Sequence, residues 1–155
     1  MQVEQPQTML DLPQYGPWML THKGDAACRM LADRHYSRQT PGADMFCRPG
    51  KNLVLRTALA DAVWVTWSGI RDDGLQAWEC TIFRNESPHM SSQMIKAAVT
   101  ATLAEWGTPP ADGLITYVAP DKIRSINPGC CFKRAGWQRI GQSKRRRLML
   151  LQYAP

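Results

Sequence analysis

His35, Tyr36, Ser37 and Arg38 stand in a row, putting an imidazole base, two hydroxyls and a guanidinium into one short stretch. Such a set suits holding an acceptor group and taking a proton from it. A histidine at the end of a helix also serves as partner of the helix dipole, and that reading stays open. Glu79 and Glu86 are the carboxylates placed for acid–base work. Glu86 falls in a loop and is free to reach a substrate. Glu79 is expected to face solvent, because Trp78 and Cys80 take the other side of its strand. Arg84 precedes Ser91 and Ser92, which open and cap a strong helix. A helix start offers unpaired N–H groups and partial positive charge. With the guanidinium and two hydroxyls added, it is a candidate anion site; Ser91 as an ordinary cap is the plainer alternative.

A second basic feature lies near the end of the chain. Lys144, Arg145, Arg146 and Arg147 are consecutive, with Arg134 and Arg139 upstream, and they carry much of a net charge of +6 and a pI near 9.3. The excess favours polyanionic partners, either nucleic acid or the phosphates of a nucleotide cofactor; a solvated basic strand edge is the bland reading. Five cysteines without a C-x-x-C pair, and three scattered histidines, suggest neither a disulfide framework nor a metal centre. The cysteines read as reduced, buried packing residues. No apolar run is long enough to cross a bilayer, and the polar first residues lack the features of a secretory signal. A cytoplasmic location is the expectation.

Elements must position these residues, and the 155 residues suffice for one domain with a proper core. Residues 1–14 read as a flexible arm and 15–155 as the domain. Trp18 to Thr21 reads as a strand, and Asp25 as the N-cap of a helix ending near His35. Three strand signals follow, at Leu53 to Leu59, Val63 to Ile70 and Gln76 to Phe83, with a turn at Arg71 to Gly74. The clearest helix carries Met94, Ile95, Ala98, Val99, Thr102 and Trp106 at helical spacing and ends at Gly107. Leu114 to Val118 is a buried-type strand. A short helix at Gly129 to Ala135 and a strand at Leu148 to Gln152 complete the chain. The order implies an α/β (α+β) fold, a mostly antiparallel sheet with helices on both faces. The tryptophans read as core, Trp18 and Trp137 being the two that suit stacking on a base.

Two stretches resemble the GNAT acyltransferases. One is Ala77 to Ser92, a strand running through Phe83-Arg84-Asn85 into a loop and then a helix. The other is Asn127-Pro128-Gly129-Cys130-Cys131-Phe132-Lys133-Arg134-Ala135-Gly136-Trp137. The resemblance implies a GNAT-like central sheet and acetyl-CoA or another acyl-CoA as cosubstrate. It implies that Phe83, Arg84, Asn85, Ser91, Ser92, Asn127, Phe132 and Lys133 hold that cosubstrate, with the helix start on its pyrophosphate. Two departures are visible. The loop from Arg84 to Ser92 has no glycine, and Phe132 stands where many family members carry a tyrosine that protonates the leaving thiolate.

Together with His35-Tyr36-Ser37-Arg38, the pattern is similar to the Mom-like branch of that family, phage-associated proteins implicated in modifying DNA bases. That likeness implies a transferase acting on a nucleobase amine, with His35, Tyr36, Ser37 and Glu86 at the acceptor. DNA would be the partner, with Arg38, Arg48 and Lys144 to Arg147 on its backbone. Two other readings stand beside it: a nucleic-acid-binding module without catalysis, and an acyltransferase for a protein or small-molecule amine.

Overall fold

The computed structural model describes residues 14–35, 46–120 and 129–155. Eight strands form one sheet in the order β1-β2-β3-β4-β5-β6-β8-β7. The strands are β1 (Gln14–Tyr15), β2 (Trp18–Thr21), β3 (Lys51–Thr57), β4 (Ala62–Ser68), β5 (Trp78–Asn85), β6 (Leu114–Val118), β7 (Gln138–Gln142) and β8 (Met149–Tyr153). Three helices accompany them, α1 (Ala26–Ala32), α2 (Ser91–Trp106) and α3 (Cys130–Arg134). Every neighbouring pair is antiparallel except β5 and β6. Those two are parallel, and α2 supplies the crossover that a parallel pair requires.

Strand alternation distributes the core between two faces. On one, Trp64, Cys80 and Trp78 pack against Met94, Ile95, Ala98 and Val99 of α2 and Phe132 of α3. On the other, Val54, Val63, Val65 and Ile82 meet Cys28, Leu31 and Ala32 of α1. The expected helices on both faces are therefore present. Trp18 lies wholly in the core and donates its indole N–H to the Met94 carbonyl at 2.7 Å; Trp137 is buried as well. Neither is a stacking platform.

Asp25 caps α1 as expected, accepting from the amides of Ala27 and Cys28. Gly107 ends α2 with φ 81°. Three expectations are corrected. Gln14 pairs with Met19, so the arm gives way to the sheet one residue earlier. The N-cap of α2 is Met90, which lends no side-chain bond, and Ser91 and Ser92 are already helical. β7 is an edge strand with no apolar alternation, and its exposed face explains why no pattern announced it. Among the described residues, no helix is long and apolar enough to cross a membrane.

Candidate functional site

β5 and β6 begin as partners and then separate. Trp78 pairs with Leu114 and Glu79 with Ile115, and there the ladder stops, although β5 continues to Asn85 and β6 to Val118. At the fork, the Thr116 hydroxyl donates to the Cys80 carbonyl at 2.9 Å, a side chain standing in for the next ladder bond. On the β4 side the register runs from Val65 opposite Ile82 to Thr66 opposite Cys80, so Thr81 is a bulge. Bulges bend a strand and raise its twist, and this one sits where β5 turns away from β6.

The far arm of the fork leads to the start of α2. Asn85 organises that junction. Its amide nitrogen donates to the His89 carbonyl and to Ser91 Oγ, while its oxygen accepts from the Ser87 amide and hydroxyl. With no side-chain cap and no acidic residue in the first turn of α2, the leading amides keep their donors and their partial positive charge. Ser92 is buried and Ser91 half-buried.

Arg84 takes no part in that junction. It lies opposite Val63, on the α1 side of the sheet, whereas Asn85 lies opposite Ala62 on the α2 side. Its guanidinium donates to Glu86 and to the Arg34 carbonyl at 3.0 Å. Arg34 meets the same carboxylate in a two-pronged contact of 2.8 and 3.0 Å. These two arginines, Arg34 foremost, hold the Glu86 carboxyl down at about 2, which leaves it a poor proton acceptor. Beside this knot, burial and then the charge of Arg84 push His35 down to about 4, so its imidazole is neutral at physiological pH.

Glu79 is not at the surface. Its side chain is 4% exposed and meets Arg71 at 2.9 Å and Arg48 at 3.3 Å. Both guanidiniums lie over the Trp67 ring, and Arg71 also holds Asp73, which accepts from the Tyr117 hydroxyl at 2.9 Å. Arg71 keeps the Asp73 carboxyl near 2. Alternation alone assigned Glu79 to the outward face, but the sheet is covered on that face too. Sequence reasoning missed Arg71 and Thr81; the acidic turn after Arg71 hinted at the first, and nothing announced the second.

Phe132 fills space. It packs on Phe83 at 5.9 Å, Trp64 at 6.2 Å and Trp137 at 5.0 Å, so Phe83 and Phe132 form the aromatic wall on the α2 face of the sheet. Lys133 is half-buried in the last turn of α3. Lys144 to Arg147 are all exposed at the tip of the β7–β8 hairpin, which closes through Ser143 N–H to Leu148 O at 2.8 Å and Leu148 N–H to Ser143 Oγ at 2.9 Å. Tyr36, Ser37, Arg38 and Asn127 lie outside the described residues. The structure thus brings Phe83, Asn85, Ser91 and Ser92 to one arm of the fork, gathers His35, Arg84 and Glu86 on the α1 side, and sets the basic hairpin apart.

An open strand edge pairs with an extended, amide-bearing chain, and a helix start takes an anion. A fork that joins the two accepts a ligand with both features. Compared with family models, curated proteins and solved structures, the chain has no match.

Proposed function

We propose that the chain is an acyl-coenzyme A-dependent N-acyltransferase of the GNAT type. One observation carries the reading: the fork between β5 and β6 opens toward the uncapped start of α2. Coenzyme A is a slender arm with two amides that ends in a diphosphate. Its arm suits the free edge of β5, and its diphosphate suits the amides of α2. The acceptor nitrogen attacks the thioester carbonyl carbon, the C–S bond breaks, and the thiolate leaves. The proton lost by the nitrogen is available to the sulfur.

The acceptor in this reading is a nucleobase amine in DNA, as in the Mom-like branch. An exocyclic amine of a base arrives neutral, so the site needs to take a proton only from the strongly acidic tetrahedral intermediate. A weak base such as the neutral His35 imidazole suffices for that. A flipped or single-stranded base would bring its backbone phosphates to Arg48 and the hairpin from Lys144 to Arg147.

A second reading has its own support. Glu86 is bound by two arginines, and Phe132 has no proton to give, which favours a nucleic-acid-binding module without catalysis. Incubating the protein with acetyl-coenzyme A and single-stranded DNA separates the two. Thiol release together with an acetylated nucleoside by mass spectrometry supports the transferase; DNA binding with neither product supports the module.

A further inference from the structure

Thr81 has no ladder partner on either side. It is the extra residue that β4 cannot match, and it follows the last pair that β5 makes with β6. Its Oγ1 is buried and has no hydrogen-bond partner. Neighbouring hydroxyls are all engaged: Thr66 with the Trp64 indole and with Thr102, Thr116 with the Cys80 carbonyl. Burying a hydroxyl without a partner loses its hydration with nothing returned, and folded proteins leave few such groups. Valine has the same shape and an equal liking for strands, so packing alone gives no reason for a hydroxyl here.

The position along β5 indicates what the hydroxyl meets. Asn85 marks the end of β5 that touches α2, and Thr81 lies near the apex of the fork, roughly 13 Å away at strand spacing. A ligand with its anionic group at α2 and its body along β5 directs its uncharged end toward Thr81. We propose that Thr81 is a ligand-contacting residue whose hydroxyl donates to the carbonyl oxygen of an acyl thioester lying in the fork. The inference rests on the acyl-coenzyme A reading above. A donor fixed at that oxygen gains strength as the oxygen acquires charge in the tetrahedral intermediate, so its effect falls on the thioester and not on the rest of the cosubstrate.

Free coenzyme A lacks the carbonyl and provides the control. Calorimetric titrations of wild type, Thr81→Val and Thr81→Ser with acetyl-coenzyme A and with free coenzyme A test the assignment, alongside the melting temperature of each ligand-free protein. Thr81→Val is expected to melt about 2 °C higher or more, since an unpaired buried hydroxyl is gone. It should bind free coenzyme A as wild type does and acetyl-coenzyme A about tenfold more weakly. Thr81→Ser should keep wild-type preference. Equal affinities of wild type and Thr81→Val for acetyl-coenzyme A overturn the inference alone, as does an equal loss for both ligands. A Thr81→Val protein that melts lower than wild type, or fails to fold, also overturns it, because the hydroxyl then has an internal partner. Absence of binding by wild type itself removes the underlying reading as well.

Discussion

Glu79 and Ile115 are the last residues that pair across β5 and β6, and the carboxylate of Glu79 anchors the base of the resulting fork to Arg71 and Arg48. The Arg71 side chain is 9% exposed and shares its charge between Glu79 and Asp73. Removing one member of such a buried pair strands the other charge, which costs about 3–5 kcal/mol. Glu79→Ala is therefore expected to lower the midpoint of urea unfolding by that equivalent, with the slope unchanged. A loss below about 1 kcal/mol would mean that solvent already reaches the pair.

Acid should destabilise the protein in two windows. The folded pKa of His35, about 4, lies below its ordinary 6.5. Between those values the unfolded chain binds the proton more readily, so this contribution is complete above pH 6.5 and lost as pH falls toward 4. Glu86 follows at lower pH, its contribution present above 4.5 and lost as pH falls toward about 2. His35→Asn is expected to flatten the upper window and leave the lower one. Chemical denaturation at a series of pH values reads both slopes.

The regular elements were legible because local chemistry and tertiary packing agree there. Asp25 is a cap in both, and Met94, Ile95, Ala98 and Val99 turn one stripe of α2 to the core. β7 escaped because an exposed edge strand has no inward face to pattern it. The site was less legible. Arg84, Asn85 and Glu86 are neighbours in the chain, yet alternation sends Asn85 to the α2 side and its neighbours to α1. Residue type suggested an anion grip at Arg84, and only the sheet's two covered faces determine that its charge is consumed by Glu86. The fork itself depends on a bulge at Thr81, which no sequence signal marks.

Backbone space at Gly113 is unforgiving. With φ 68°, a Cβ placed there would lie 2.3 Å from the Tyr153 carbonyl oxygen, where β6 begins its pairing with β8. Gly113→Ala combines left-handed strain with a backbone clash and is expected to cost about 2–4 kcal/mol. Thermal unfolding measures the loss, and Gly74→Ala, with open space around it, should be affected by its φ alone and lose less.

The hairpin tip provides a separable test of the polyanion partner. Arg145, Arg146 and Arg147 are exposed, so replacing all three with serine should leave the melting temperature near wild type. Single-stranded DNA binding should weaken and lose about 2 units of its salt dependence, at roughly 0.7 per phosphate contact. An unchanged slope would place DNA elsewhere on the surface.

The central claim is that the opening between β5 and β6 and the start of α2 together bind coenzyme A. Calorimetric titration of the wild-type protein with acetyl-coenzyme A tests it most directly. The account expects saturable one-to-one binding in the micromolar range, weakened by added inorganic diphosphate competing for the α2 amides. No measurable binding at millimolar ligand, by a protein whose unfolding is cooperative, would contradict it.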